Sequence, residues 1–264
     1  MDGGGTGALS GRVALVTGGG RGIGRAISLA LARAGAAIVV ASRSEEANAA
    51  TVREIAAAGG TAHPVALDVT NGESVQRAVA AAIARFQRID ILVNNAGSAG
   101  SAPFLRTERD LWDRMLAVNL TGAYLCTRAV LEPMLRRRRG RIVNVASTAG
   151  RVGYPYVTAY CAAKHGLVGL TRALAQEVAT EGVTVNAVCP GYVDTEMTSA
   201  NVGIMREKTG RSAEEILRLL AEQSPQKRVF RAEEVASIVA FLASDAAAGV
   251  NGQAINLCGG AVFS

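Results

Sequence analysis

Tyr160 and Lys164 open a helical pattern four residues apart, in Tyr160-Cys161-Ala162-Ala163-Lys164. On a helix, residues i and i+4 share a face, with Cβ atoms about 6 Å apart. A free phenol titrates near about pH 10. A neighbouring ammonium favours the phenolate and lowers that value. The expected product is an acid–base group that exchanges a proton with an alcohol or ketone. Ser147 ends a strand pattern, where its hydroxyl can donate to a substrate oxygen beside the phenol. A strand-end Ser can equally bond its own backbone. Asn119 lies in AVNLTG, inside a long helical pattern. Asn is a mediocre helix former, so its side chain is expected to bond across to backbone or to a water.

A second constellation is the turn Thr17-Gly18-Gly19-Gly20-Arg21-Gly22-Ile23-Gly24, between a strand and a helix pattern. Its glycines permit a tight turn and close approach of a pyrophosphate, and the helix N-terminus adds free N–H groups. The spacing is G-x-x-x-G-x-G, not G-x-G-x-x-G. The next strand ends at Ser42-Arg43-Ser44. A carboxylate there would bind a ribose 2′-OH and repel a 2′-phosphate. Ser42 stands in its place, with Arg43 beside it and Arg21 in the turn. Guanidinium groups suit bidentate phosphate binding. NADP(H) is therefore the preferred cofactor, with NAD(H) possible.

These groups need a frame, and the chain supplies one. Strand patterns at 12–17, 37–42, 62–67, 89–94, 141–146, 183–188 and 253–258 alternate with helical patterns near 22–34, 45–58, 72–87, 108–137, 159–180 and 232–243. Most of the strand runs are apolar at nearly every position, as in strands covered on both faces. Strict alternation implies βαβ units. The expected fold is α/β: one Rossmann-like, doubly wound parallel sheet of seven strands flanked by helices. One domain covers 11–264, after a Gly-rich leader, 1–10, expected to be mobile. Residues 194–228 interrupt the rhythm after the sixth strand, with an amphipathic stretch near 213–222. They read as a lid over the strand ends, or as a surface excursion with one short helix.

Composition narrows the classes. The chain has 264 residues, 49% hydrophobic and 19% charged, with mean hydropathy +0.22. That excludes a disordered chain. The net charge of +6 is modest and suits anionic small ligands as well as nucleic acid. Cys126, Cys161, Cys189 and Cys258 form no C-x-x-C pair, and only His63 and His165 could join them. A metal site and a disulfide framework are both unexpected. The start carries no signal-peptide pattern, and the apolar run 26–41 is too broken to span a bilayer. A cytoplasmic protein without a membrane partner is expected.

Tyr154, Tyr192 and Met197 border the proposed site and could wall a bulky or aromatic substrate, or be tyrosines with wet hydroxyls. Arg136 to Arg139, with Arg141, make a basic cluster. It reads as a solvated group complementing a helix C-terminus, or as a dock for an acidic carrier protein or a CoA phosphate. Without stacking aromatics nearby, it does not point to nucleic acid.

From about Gly11 to Gly260 the chain resembles the short-chain dehydrogenase/reductase family, in its short single-domain branch. The likeness is carried by residues 17–24, Asp68-Val69, Asn94-Asn95-Ala96-Gly97, Asn119, Ser147, Tyr160-x-x-x-Lys164 and Pro190-Gly191. It implies an Asn–Ser–Tyr–Lys tetrad of Asn119, Ser147, Tyr160 and Lys164. Tyr160 would be the acid in reduction and the base in oxidation. Lys164 would lower its pKa and hold the nicotinamide ribose, Ser147 would polarise the carbonyl, and Asn119 would fix a relay water. Asp68 and Val69 would flank the adenine. Asn95, Ala96, Gly97 and Val118 would line the cleft, and Pro190, Gly191, Val193 and Thr195 would position the nicotinamide. NAVCPG (186–191) and Cys258-Gly259-Gly260 are similar to aromatic polyketide ketoreductases. Arg138 matches a docking position of 3-oxoacyl reductases, whereas Glu181 departs from its basic partner. The resemblance implies an NADPH-dependent reductase of a ketone or 3-oxoacyl carbonyl, free or bound to CoA or a carrier. An alcohol or 3-hydroxyacyl dehydrogenase in oxidation is the alternative, and a non-catalytic NADPH-binding protein a third reading. A homotetramer packed through 108–137 and 159–180 is also implied.

Overall fold

The computed structural model describes residues 7–263. Seven strands form one parallel sheet in the order β3-β2-β1-β4-β5-β6-β7. They are β1 Val13–Thr17, β2 Ala37–Ser42, β3 Ala62–Ala66, β4 Ile91–Asn94, β5 Gly140–Val145, β6 Val183–Pro190 and β7 Ala254–Leu257. The order reverses between β1 and β4, which opens a crevice at the strands' carboxyl ends. β1, β4, β5 and β6 are buried at every position, as their largely apolar runs suggest, although Arg141, Asn144, Thr184 and Asn186 are buried with them. β3 carries Pro64 at the sheet edge, where a missing N–H costs no ladder bond.

Successive side chains of β1 serve opposite layers. Ala14 and Val16 pack with Ile27, Leu31, Val235 and Val239 of helices α1 (Gly22–Arg33) and α9 (Ala232–Ala243). Val13 and Leu15 pack with Val75, Val79, Cys126 and Val130 of α3 (Gly72–Phe86) and α5 (Gly122–Arg136). A buried polar chain ties the second layer to the sheet. Asn94 donates to Thr127 and to Asn144, and Asn144 donates to Thr171 of α6 (Thr158–Glu177). Asn94 and Asn144 are register partners, so the link joins β4 and β5 near the carboxyl ends of both strands.

Three expectations need correction. The leader is not mobile throughout: Leu9 is fully buried and its N–H bonds the Ala34 carbonyl, while residues 1–6 lie outside the described residues. The long helix at 108–137 is divided into α4 (Arg109–Leu116), a π-helical turn (Ala117–Thr121) and α5. The cause sits in that turn, where the Asn119 amide donates to the Met115 carbonyl and competes with the regular backbone ladder. The segment after β6 holds two helices rather than one, α7 (Glu196–Thr209) and α8 (Ala213–Glu222). α8 bears a strong apolar stripe and a Ser212–Glu215 capping box. α7 has only a weak stripe, so periodicity hides it, although Thr195 caps its first turn. The remaining helix, α2, spans Glu45–Ala57.

Candidate active site

α6 places Tyr160 and Lys164 one turn apart beneath the crevice. The Lys164 side chain is buried, and its Nζ donates to the Val145 carbonyl at the end of β5 (2.8 Å). Nζ lies 5.7 Å from the centre of the Tyr160 ring. Two residues beyond Val145, Ser147 Oγ accepts the Ala149 N–H (3.1 Å) and lies near enough to the Tyr160 hydroxyl to favour its ionisation. The backbone reading of Ser147 is therefore observed. Asn119 is buried in its π turn, where Oδ1 accepts the Ser98 N–H and Nδ2 donates to the Ser98 and Met115 carbonyls. A Cβ built on Gly97 would lie 3.0 Å from Asn119 Oδ1 and 3.8 Å from Lys164 Nζ, so these two polar groups flank one small volume.

The electrostatics correct one expectation. Burial pushes the Tyr160 phenol up to about 12, and the nearby Ser147 hydroxyl opposes that rise. Burial also pulls the Lys164 ammonium down to about 8. Desolvation, not the ammonium one turn away, is the larger influence on the phenol. A phenol held neutral at pH 7 is a proton donor, the form that reduction of a carbonyl requires.

The Gly-rich turn is built around Thr17. Its Oγ1 donates to the Val93 carbonyl and accepts the N–H groups of Asn95 and Ala96. Asn95 Nδ2 returns to the carbonyls of Thr17 and Gly18. Gly18 is left-handed at φ +64°, and a Cβ on Gly24 would lie 2.1 Å from the Gly18 carbonyl oxygen. Only glycine fits these two positions. No side chain caps α1, and its first turn holds no acid, so its leading N–H groups are left for an anion. A dinucleotide pyrophosphate fits that donor set. The two spare N–H donors of buried Lys164 fit ribose hydroxyls.

The adenosine end matches expectation less closely. Ser42 Oγ donates to Asn48 Oδ1 (2.6 Å), and Ser44 Oγ caps α2 through the Ala47 N–H. Both hydroxyls are thus engaged locally. Arg43 is exposed and bears on the Asp68 carboxylate, which Thr70 hydrogen bonds hold below the usual range. Arg21 lies 3.6 Å from Glu196 at the start of α7, which brings α7 to the turn. Val69 packs under Gly122, and Val118 joins the same apolar layer. Gly22 and Ile23 begin α1, while Gly20 packs on Ala47 of α2.

At the far wall, Pro190 ends β6 and the Gly191 N–H bonds the Leu257 carbonyl. Val193 is buried in a bridge to Phe230 that closes the base of the 194–228 segment. Thr195 caps α7 and stands 3.4 Å from a Cβ built on Gly22. The Tyr154 hydroxyl donates to Thr148, and burial pushes the Tyr192 phenol up, with Gln223 at the end of α8 opposing the rise. Met197 on α7 is half exposed. Residue types alone concealed Gln223 and the Val145 carbonyl, which is backbone and leaves no mark in a sequence.

The arginine cluster lies at the opposite, amino end of the sheet. Arg136 pairs with Glu132, and Arg137 donates to the Ile89 carbonyl. Arg138 pairs with Glu181, and Arg139 and Arg141 converge on Asp245. Every member has a partner within the chain. No group of three or more His, Cys, Asp or Glu able to hold a metal occurs among the described residues. No helix among them is long and apolar enough to cross a membrane.

Comparison with known proteins decides the family. Residues 12–203 match the short chain dehydrogenase family model. The chain belongs to the short-chain dehydrogenase family. It is thus an NAD(P)-dependent oxidoreductase of the CH–OH/C=O class. A 3-oxoacyl-[acyl-carrier-protein] reductase of Synechocystis sp. is 44% identical over 258 residues, covering 97% of this chain and 99% of that protein. A Streptomyces virginiae protein described as the ketoacyl reductase of the monensin polyketide synthase is also 44% identical, covering 94% of this chain and 96% of that one. Among solved structures, a variant of the actinorhodin polyketide ketoreductase with NADPH is 40% identical. It superposes with a TM-score of 0.92 over 96% of this chain and 98% of that one.

Proposed function

We propose that this short-chain dehydrogenase is an NADPH-dependent reductase of 3-oxoacyl or related ketone carbonyls. The observation that carries the reading is Tyr160 one turn from buried Lys164 on α6, with Nζ fixed on the Val145 carbonyl two residues before Ser147. Bound in the crevice, the nicotinamide supplies the hydride. Tyr160 gives its proton to the carbonyl oxygen, and Ser147 holds that oxygen beside the phenol. Lys164, fixed by Val145, favours the phenolate as it forms. Asn119, clamped on Ser98 and Met115, holds the wall of the same volume.

The exposed guanidinium groups of Arg21 and Arg43, with no acid at Ser42, support NADPH over NADH. Tyr154, Tyr192 and Met197 support a substrate with polar and apolar parts. The names of the relatives support a substrate carried on a thioester. Four free, buried cysteines are consistent with a reducing, cytoplasmic setting. A homotetramer through α5 and α6 is the proposed assembly, and Tyr124, half exposed on α5, suits such a contact. Tetrad chemistry also runs in reverse, so oxidation of a 3-hydroxyacyl group is the same site's second activity. The test is cofactor consumption with NADPH and with NADH against simple ketones, 3-oxoacyl thioesters and quinones. Selective turnover of the thioesters with NADPH is expected. Turnover of none of them would refute the reading.

A further inference from the structure

An ion pair joins the Gly-rich turn to α7. Arg21, the residue before α1, lies 3.6 Å from Glu196, the first residue of α7, and both side chains are largely exposed. The backbone on either side brings them together. Thr195 stands 3.4 Å from a Cβ built on Gly22, so the neighbours of the pair approach closely. Thr195 also caps α7 by accepting the Thr198 N–H, and the buried Thr198 hydroxyl donates to the Val193 carbonyl (2.6 Å). Val193 is anchored in turn by its bridge to Phe230. Glu196 is therefore presented to the turn from a fixed root, and among the described residues Arg21 is its ionic partner. The other guanidinium group that supports a 2′-phosphate, Arg43, also faces an acid, Asp68, but Thr70 holds that carboxylate through its N–H and its hydroxyl (2.9 and 2.7 Å). Glu196 has no such second hold. An anion approaching Arg21 meets it as a rival for the same donors and as a like charge, the repulsive element by which a site discriminates between ligands.

We propose that Glu196 is a specificity-determining residue: by pairing with Arg21 it weakens NADPH relative to NADH. The proposal rests on the reading of Arg21 as a 2′-phosphate-binding group. NADH carries no 2′-phosphate and leaves the pair intact. NADPH must part the pair or share the guanidinium with the carboxylate. The net preference is then what Arg21 and Arg43 gain from the phosphate, less what Glu196 withholds. An acid in a first helical turn also complements the helix dipole, and that role alone would leave the choice of cofactor untouched.

Adenosine 2′,5′-bisphosphate and 5′-AMP test this without turnover. They differ only in the 2′-phosphate, so the ratio of their dissociation constants, measured by calorimetry, reads that group alone. In Glu196→Gln the ratio is expected to shift toward the bisphosphate by about two- to fivefold, the scale of an exposed ion pair. The shift should shrink at high salt, and Glu196→Lys should enlarge it. In an Arg21→Ala background the Gln substitution should change nothing, the mark of an effect that acts through Arg21. In steady-state kinetics the preference for NADPH should rise in Glu196→Gln through KM rather than kcat. An unchanged ratio in both the Gln and Lys variants would overturn the proposal, and so would an equal shift with Arg21 removed. A lower Tm with no change in ratio would leave Glu196 its helix role alone and overturn it too. Arg21→Ala by itself separates the two readings. An unchanged ratio there would sink the assignment of Arg21 to the phosphate. A fall of about 10- to 100-fold, the scale of a lost charged hydrogen bond, beside an indifferent Glu196 series would sink this proposal alone.

Discussion

Lys164 Nζ donates to the carbonyl of Val145 across the gap between α6 and the end of β5. One bond thereby ties the acid–base helix to the strand that delivers Ser147 two residues later. The three groups that would act on a carbonyl oxygen are fixed as a unit by backbone that cannot mutate away. Burial then sets the protonation states, holding the phenol neutral and easing the ammonium toward release of its proton.

The first prediction concerns pH. The Lys164 ammonium, pulled from its ordinary 10.5 to about 8, loses its proton as pH rises through about 8. The kcat of reduction should therefore fall above about pH 8, approaching tenfold per pH unit. A pH–rate profile with saturating substrate checks this, and a kcat flat to pH 10 would oppose it. The same shifts act on stability with opposite signs. Between about 8 and 10.5 the unfolded chain keeps the lysine proton that the folded chain has shed, so this group's contribution to stability rises with pH. Between 10 and about 12 the folded chain keeps the Tyr160 proton that the unfolded chain has lost, so that contribution falls.

Cofactor choice should turn on Arg43. Replacing it with Asp removes a guanidinium and puts a second carboxylate near Asp68. The ratio of kcat/KM for NADPH over NADH should fall by about 10- to 100-fold, the scale of a lost charged hydrogen bond. Steady-state kinetics with both cofactors measure the ratio. An unchanged ratio would place the 2′-phosphate elsewhere.

The lid should unfold by itself. Val202, Ile216 and Leu220 form a small apolar cluster between α7 and α8, separate from the two layers of the main core. Leu220→Ala should speed hydrogen exchange across 196–222 and leave β1 and β5 protected. Exchange read by mass spectrometry decides it. A uniform loss of protection across the sheet, as expected for Leu15→Ala, would show that the lid is one cooperative unit with the body.

Much of this molecule is legible before any coordinates. Apolar runs alternating with helical periods already imply seven parallel strands, because burial on both faces leaves that pattern and no other short strand does. The tetrad is legible because Tyr160 and Lys164 are separated by one helical turn, and because Asn119 is out of place in a helix. What stays hidden is tertiary. The direction of the Tyr160 shift depends on how deeply the phenol is desolvated, which spacing does not report. That the Ser42 hydroxyl is taken by Asn48, six residues on, is likewise invisible in the residue types. α7 lacks an apolar stripe strong enough to announce itself, and the Val145 carbonyl has no residue type at all.

The central claim is that the Tyr160 hydroxyl gives the carbonyl its proton. The most direct test is the rate of NADPH oxidation by Tyr160→Phe with a 3-oxoacyl thioester, alongside its NADPH affinity by fluorescence titration. A fall of about 10²–10⁴ in kcat with affinity retained is predicted, the scale of a lost general acid. Turnover within a few fold of the parent would contradict it.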